Sequence, residues 1–418
     1  MNFDLSNMLQ KYAETSIAFG VNLQPNEYLV IACDINNAEL ARALTESAYK
    51  RGAKRVIVLW KDQAITKLNY TYATAESLSE LFDWEVESKN FIADAKACYI
   101  AVSSADPDLL KDIDSQKISA VDRAVSPLYA KFYDNSSCNN FKWCVIAGAS
   151  DAWAKKVFAE EIENSVYTLS QAKEKLWNLI FRANRIDSAD PIVEWQKHTD
   201  DLRTSCEKLN ALKIKKLIYK NSLGIDFSVV LPENYVFLGG SELSKDNCLF
   251  TANMPTEEVF TTPHKYGANG KLVASLPLSL DGKIVKNFGF TFKDGKVVDY
   301  FAEEGKDSLK KLLETDDGAK YLGEVALVPF DSPINNTNTL FYSTLFDENA
   351  RCHFALGFAY PQGVVGGEDM TDEQKEKVGI NKSLTHVDFM VGTDDLSIKA
   401  LTESGETVDI FVNGNFAI

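Results

Sequence analysis

Histidine and carboxylate side chains lie close together in the second half of this 418-residue chain. In residues 385–392 (THVDFMVG), the alternation of side chains along a strand puts His386 and Asp388 on one face and their apolar neighbours on the other. An imidazole and a carboxylate that project from the same face can bind a single metal ion. The spacing leaves a second interpretation open, in which this face of a sheet is exposed and both side chains are solvated.

Glu324 has a comparable setting, because it is a lone carboxylate inside the apolar segment 321–329 (YLGEVALVP). Burying an unpaired carboxylate costs several kcal/mol, so a nearby cation would explain its position. Two further segments, 253–258 (NMPTEE) and 346–353 (FDENARCH), contain polar residues that fit poorly in an apolar core. Together these segments favour a metal site built from carboxylates and histidines.

The elements of the first 188 or so residues alternate between strand-like and helix-like patterns. Short apolar strands are predicted at 28–33, 55–60, 98–102 and 143–147, with a helix at 38–50. Apolar strands separated by helices indicate βαβ units, so we predict an α/β domain with a mainly parallel sheet and flanking helices. The turn after the first strand (DINN) lacks G-x-G-x-x-G, which disfavours a dinucleotide-binding domain.

Two predicted helices, 171–185 and 190–212, mark the domain boundary. Asp190 and Pro191 are typical of a helix N-cap and of the first helical position. The short segment SADP between the helices places the boundary near residue 188. We therefore predict domains at 1–188 and 189–418.

The second domain is predicted to be α+β and largely antiparallel. Three turn dipeptides, Asn269-Gly270, Asp281-Gly282 and Asp294-Gly295, separate segments of β-branched and aromatic residues, which is typical of hairpins. One helix is expected at 308–314, and strands are expected at 324–328 and 385–391.

The composition excludes several classes of function. The net charge of −16 argues against binding to nucleic acid, whose partners usually carry a basic face. We find no signal peptide and no apolar stretch long enough to cross a membrane. The seven cysteines are scattered without a C-x-x-C pair, which is typical of thiols in a reducing compartment. A cytoplasmic location is therefore expected, with no membrane partner.

Four segments, in this order, resemble the metallo-aminopeptidases of the aminopeptidase T/aminopeptidase S family. The segments are 253–263 (NMPTEEVFTTP), 321–329 (YLGEVALVP), 345–361 (LFDENARCHFALGFAYP) and 386–392 (HVDFMVG). The resemblance extends over essentially the whole chain. At the variable positions beside His353 this chain has Arg351 and Phe354, and neither change affects a candidate ligand.

Residue by residue, the resemblance implies a site for two divalent metal ions. The implied ligands are Glu258, Glu324, Glu348, His353, His386 and Asp388. Two divalent ions would neutralise the four carboxylates, which would otherwise repel one another. Oxygen and nitrogen ligands without a thiolate suit zinc, cobalt or manganese, and ligand type does not choose among them.

The resemblance also implies roles in peptide hydrolysis. Glu324 is the expected bridging ligand, Glu257 and Glu324 are both candidates for the general base, and Tyr360 is expected to donate a hydrogen bond to the oxyanion. A water shared by two metal ions would attack the first peptide carbonyl, and the free α-amino group of the substrate would bind one ion. The implied substrates are short peptides with a free N terminus, and the implied assembly is a homodimer.

Other residues and other functions are weighed against this interpretation. The position of His198 on a predicted helix favours a structural role for it, and His264 could line the substrate pocket. Cys352 is expected to be a small buried residue and not a ligand. The alternative function is an inactive peptide or amino-acid binding protein of the same fold. A nucleotide-dependent enzyme is a second alternative, but the sequence has no phosphate-binding loop.

Overall fold

The computed structural model describes residues 4–104, 106–280 and 283–418. The chain divides into two compact units, and strands and helices carry numbers in chain order. The first unit comprises Met1–Lys197 and Ser241–Pro255, and the second comprises His198–Gly240 and Thr256–Ile418. The first unit thus includes a segment from later in the sequence, and the division at 188 and 189 stays a prediction.

A parallel five-stranded sheet organises the first unit. Its strands are β1 (Tyr28–Asp34), β2 (Arg55–Lys61), β3 (Cys98–Ser103), β4 (Trp143–Ala147) and β10 (Asn253–Met254). They lie in the order β2-β1-β3-β4-β10. A separate antiparallel pair is formed by β8 (Glu242–Leu243) and β9 (Leu249–Phe250). The strands β1 to β4 begin at the predicted residues, because short apolar runs mark the strands of a covered parallel sheet.

Helices flank this sheet, as predicted for an α/β fold. They are α1 (Leu5–Thr15), α2 (Ala38–Lys50), α3 (Gln63–Tyr72), α4 (Ala75–Ser79), α5 (Asp83–Asp94), α6 (Ser115–Val125), α7 (Ala130–Ser137), α8 (Asp151–Val157), α9 (Ala159–Glu163), α10 (Leu169–Ala183) and α11 (Pro191–Ala211). Asp190 caps α11, since its Oδ1 accepts hydrogen bonds from the nitrogens of Ile192 (3.1 Å) and Val193 (3.2 Å). None of the described helices is both long and apolar enough to cross a membrane.

Two antiparallel sheets make up most of the second unit, which confirms the predicted α+β class. The five-stranded sheet has the order β18-β17-β16-β11-β7, and its strands are β7 (Leu238–Gly239), β11 (Val259–Thr261), β16 (Leu322–Leu327), β17 (His353–Gly357) and β18 (His386–Met390). The larger sheet has the order β13-β14-β12-β6-β5-β19-β20-β21, with β15 paired to β14. Its strands are β5 (Ile214–Lys220), β6 (Asp226–Val230), β12 (Ala268–Val273), β13 (Leu278–Leu280), β14 (Lys283–Lys293), β15 (Lys296–Glu304), β19 (Ser397–Thr402), β20 (Thr407–Val412) and β21 (Asn415–Phe416). The helices of this unit, besides the end of α11, are α12 (Lys306–Leu313), α13 (Thr344–Asp347) and α14 (Asp372–Val378).

The three predicted hairpin turns have different outcomes. Asp294 and Gly295 join β14 to β15 with φ angles of +49° and +84°, as a tight hairpin turn requires. The turn predicted at Asn269-Gly270 is wrong, because both residues lie within β12. A Cβ atom on Gly270 would lie 2.2 Å from the Asp226 carbonyl oxygen, so glycine is needed there for the approach of the neighbouring strand. Asp281-Gly282 lies outside the described residues.

Aromatic side chains from the two antiparallel sheets pack against each other in the core of the second unit. The ring centroids of Phe354 and Tyr219 are 5.1 Å apart, and those of Phe389 and Phe290 are also 5.1 Å apart. Phe354 and Phe389 belong to the five-stranded sheet, and their partners belong to the larger one. One face of the five-stranded sheet therefore packs in the core, and the candidate ligands project from its other face.

Candidate metal centre

Strand alternation turns the candidate ligands away from the aromatic core. Phe354 and Phe389 point into the core, so their strand neighbours His353 and Asp388 point to the opposite face. The His386 Nε2 and Asp388 Oδ1 atoms lie 3.3 Å apart, which confirms the predicted arrangement of this pair on one face. The structure answers the question that spacing left open, since Asp388 is buried and not solvated.

A small residue separates two of the carboxylates. Glu324 on β16 is paired with Ala355 on β17, and Ala355 is paired with Asp388 on β18. The three residues thus form one row across the sheet. Because an alanine side chain ends at Cβ, Ala355 itself places no bulky group between the two carboxylates. Ala355 has no chemical signature in the sequence, because its importance depends on the register of three strands.

Five of the six predicted ligands come together in two overlapping groups. Glu258, Glu324 and His353 form one group, and Glu324, His386 and Asp388 form the other. Within each group, one ligand atom from every residue lies within 4.8 Å of the others. Glu324 belongs to both groups, which is the position that a bridging carboxylate would occupy.

Both imidazoles are oriented by backbone carbonyls. His353 Nδ1 lies 3.1 Å from the Arg351 oxygen, and His386 Nδ1 lies 2.7 Å from the Phe358 oxygen. Since a carbonyl oxygen can only accept, Nδ1 carries a proton in each ring. Each Nε2 then faces the carboxylates: His353 Nε2 is 3.1 Å from Glu258, and His386 Nε2 is 3.0 Å from Glu324. This arrangement is typical of metal-binding histidines.

The electrostatics of the cluster favour positive charge at its centre. Burial lowers the pKa of His353, but the close contact and charge of Glu258, together with the charges of Asp388 and Glu324, raise it to about 10. Burial lowers the pKa of His386, but the charges of Asp388 and Tyr360 and the contacts with Asp388 and Glu324 together raise it well above its usual value. Burial raises the pKa of Glu324 despite its contact with His386. Burial also raises the pKa of Asp388, but the charge and close contact of His386, together with the charge of His353, outweigh burial and lower the net pKa.

Among the described residues, two buried carboxylate oxygens of these groups make no well-aligned hydrogen bond, although each faces an imidazole Nε2. They are Glu258 Oε2, at 3.1 Å from His353, and Asp388 Oδ1, at 3.3 Å from His386. Buried polar oxygens are normally satisfied, and an exception calls for a physical explanation such as an ion. The donor set of oxygen and imidazole nitrogen is one that divalent metal ions accept. The residues present therefore fit a divalent cation in each group.

Glu348 and Glu257 belong to neither of the two ligand groups. Glu348 is half-buried and its Oε1 is 3.3 Å from Asn349 Nδ2. Burial, followed by the charges of Asp388 and Glu258, raises the pKa of Glu348 well above its usual value. Glu257 is buried, and its Oε2 lies 3.5 Å from His198 Nε2. The assignment of Glu348 as a sixth ligand stays a prediction.

Tyr360 lies beside the second group. The centroids of the Tyr360 and His386 rings are 4.9 Å apart, and Phe358 also contacts the Tyr360 ring. His386 lowers the pKa of Tyr360, but burial and the charge of Glu324 outweigh it and raise the pKa. The hydroxyl therefore keeps its proton near neutral pH and is available as a hydrogen-bond donor.

The remaining sequence candidates lie apart from the ligand groups. His264 packs against Gly379, where a Cβ atom would lie 2.5 Å from the imidazole Cδ2. Its role in lining a substrate pocket stays a prediction. Cys352 is buried, and its Sγ donates a hydrogen bond of 3.2 Å to the Val328 oxygen, as expected of a structural thiol.

Residues 5–416 match the family described as thermophilic metalloprotease (M29). The chain belongs to this family, which confirms the resemblance found in the sequence. Membership implies a divalent metal and peptide substrates, and the ligand groups described above supply suitable side chains.

Known relatives define the class further. The chain is 41% identical to aminopeptidase 2 of Geobacillus stearothermophilus over 409 residues, covering 98% of this chain and 97% of the relative. It is 40% identical to aminopeptidase AmpS of Bacillus subtilis (strain 168), covering 99% of each. The solved structure of wild-type AmpT from Thermus thermophilus superposes with a TM-score of 0.91 at 34% identity, covering 99% of this chain and 100% of that one. The protein is therefore a metallo-aminopeptidase of this family, and the comparisons give no support to an inactive binding protein.

Proposed function

We propose that the second unit removes the N-terminal residue from short peptides by hydrolysis at a site for two divalent metal ions. The main observation that supports this proposal is that two groups of ligand atoms share the buried carboxylate of Glu324. The ions would be held by Glu258 and His353 on one side and by His386 and Asp388 on the other. When bound, they would make a shared water more acidic and polarise the peptide carbonyl.

The protein residues around this site divide the remaining tasks. Glu257 is our choice for the general base over Glu324, because Glu324 belongs to both ligand groups and Glu257 to neither. A carboxylate that is not a metal ligand can act as a proton acceptor. Tyr360 would donate a hydrogen bond to the tetrahedral oxyanion, since its raised pKa keeps the hydroxyl protonated. Glu348 is proposed as the sixth ligand.

The preference for a free N terminus is proposed from the ligand groups. A free α-amino nitrogen that has lost its proton has a lone pair, which could bind one of the two ions. An acetylated N terminus loses both its charge and the nitrogen lone pair. The family resemblance further predicts zinc, cobalt or manganese as the metal, a homodimer as the assembly and the cytoplasm as the location.

The proposed activity is tested with matched peptides. We expect release of the first amino acid from a free-amine tetrapeptide in the presence of added Zn²⁺, Co²⁺ or Mn²⁺, and no release after chelation. The N-acetylated form of the same peptide should be cleaved at least about a hundredfold more slowly, which corresponds to about 2.7 kcal/mol. Equal rates on both peptides would instead indicate an endopeptidase. Elemental analysis should find two metal ions per chain, and one ion would refute the dinuclear site.

A further inference from the structure

The peptide group that joins Thr256 to Glu257 is held at both of its polar atoms by side chains from elsewhere in the second unit. His198 Nε2 lies 2.8 Å from the Thr256 carbonyl oxygen, and Asn349 Oδ1 lies 2.7 Å from the Glu257 nitrogen. The carbonyl oxygen only accepts, so His198 Nε2 donates the proton, while Asn349 accepts from the Glu257 N–H. Since a peptide group is planar, two such hydrogen bonds fix its orientation.

The two side chains that hold this peptide group are themselves well fixed. Asn349 is fully buried, and its Nδ2 donates to the Leu345 oxygen at 3.0 Å and lies 3.3 Å from Glu348 Oε1. These contacts determine which side of the amide faces Glu257. The His198 side chain is only 14% exposed and projects from α11.

The orientation of this peptide group directly affects Glu257. The Cα of Glu257 belongs to the peptide plane, so rotating the plane would swing the bond from Cα to Cβ and move the carboxylate. His198 Nε2 also lies 3.5 Å from Glu257 Oε2, so the same imidazole approaches both the peptide and the side chain. Glu257 is buried and has little freedom to compensate for a displaced backbone.

We propose that His198 and Asn349 are positioning residues that orient Glu257 through its preceding peptide group. The proposal rests on the proposed role of Glu257 as the general base. A general base must lie within hydrogen-bond reach of the proton that it takes, and a displacement of about 1 Å can reduce the rate about a hundredfold. Holding both ends of one peptide group is a direct way to prevent such a displacement.

The proposal is tested by replacing the proton donor of His198. His198→Leu should lower kcat about tenfold to a hundredfold, with KM changed less than about threefold and the metal content unchanged. His198→Gln keeps an N–H that can reach the Thr256 oxygen, so its kcat should stay within about tenfold of wild type and clearly above that of His198→Leu. His198→Phe fills the volume of the imidazole without a donor and should resemble His198→Leu, even if the leucine variant folds poorly.

A matched control separates positioning from stability. Asn221 also fixes a backbone group, because its Oδ1 accepts from the Ile225 nitrogen at 3.0 Å, but it lies on the loop between β5 and β6. Asn221→Leu should lower the thermal midpoint while leaving kcat near the wild-type value. Circular dichroism and the thermal midpoint are measured for every variant.

The outcomes distinguish this proposal from the proposed function. If the wild-type protein releases no amino acid from peptides, the proposed function is wrong. If the wild type is active and His198→Leu and His198→Phe match Asn221→Leu in kcat, the positioning role is wrong. Loss of metal in proportion to activity in the His198 variants would also overturn it, because the effect would then act on the ligands.

Discussion

Replacing the shared carboxylate with its neutral isostere gives the sharpest test of the site. In Glu324→Gln the shape of the side chain is preserved, and one negative charge is removed from the residue that both ligand groups share. An amide oxygen is a weaker ligand than a carboxylate oxygen and bridges two cations poorly. We expect the loss to fall on the chemical step, because the metal contribution to a charged transition state is several kcal/mol.

The expected magnitude follows from that energy. A loss of about 4 kcal/mol corresponds to about three powers of ten in rate, at about 1.36 kcal/mol for each tenfold change. The fold should persist: burial raises the pKa of Glu324, so the charged carboxylate is unfavourable in the folded protein and a neutral amide removes that penalty. The metal-free variant should therefore unfold at a temperature no lower than that of the metal-free wild type.

The assay measures kcat/KM on a free-amine peptide at rising metal concentration, together with metal per chain after gel filtration. Glu304→Gln is the matched control, since Glu304 also lies on a strand but its side chain is 57% exposed. That control should keep wild-type activity. Near-normal activity with a full metal complement in Glu324→Gln would refute the bridging assignment. Full recovery of kcat at high metal concentration would show that Glu324 acts only on affinity.

Two further predictions concern a small residue at the site and the half-buried Lys89. Ala355→Leu should reduce metal content and lower kcat/KM more than about a hundredfold, because the longer side chain enters the space between Glu324 and Asp388. The kcat/KM of the control variant Ala355→Ser should stay within about threefold of wild type. A leucine variant with full metal content would contradict this reasoning. Lys89 lies 4.6 Å from the Phe132 ring centroid, and burial, with a smaller effect of Lys61, lowers its pKa to about 8. Because lysine in an unfolded chain titrates at about 10.4, the folded state binds fewer protons between these values and stability rises across this interval. Lys89→Met should raise the free energy of unfolding at pH 7.5 by about 1 kcal/mol, after allowance for exposure and the cation–π contact. In urea titrations the difference should shrink above about pH 8 and vanish above about pH 11. A less stable variant at pH 7.5 would contradict this expectation.

Local patterns explain why much of the fold could be predicted. The strands β1 to β4 were marked by apolar runs that also set their first residues, and α11 was marked by Asp190 and Pro191. These signals depend on the chemistry of a few neighbouring residues. They carry no information about contacts with distant parts of the chain, as Gly270 shows. An Asn-Gly pair usually favours a turn, but in this structure Gly270 lies within a strand and allows the Asp226 carbonyl to come close.

Only those parts of the candidate site that depend on the pattern of neighbouring residues could be predicted from the sequence. The alternation in β18 placed His386 and Asp388 on one face, and the apolar setting of Glu324 indicated an unusual carboxylate. The row from Glu324 through Ala355 to Asp388 depends on pairing among three strands, which no short segment encodes. An alanine in an apolar strand has no chemistry of its own, so its role is visible only once the register is known.

The residues that hold the Thr256–Glu257 peptide group are still less accessible to sequence analysis. His198 is 58 residues before Thr256, and Asn349 is 92 residues after Glu257. On the sequence, His198 is a polar residue of an amphipathic helix, and a structural role is the reasonable inference. In the structure it contacts a backbone atom, which has no signature in the sequence because every residue supplies the same carbonyl group. Residues that act on the backbone next to a catalytic group therefore escape motif analysis, and they are the ones for which a structure adds most to the functional argument.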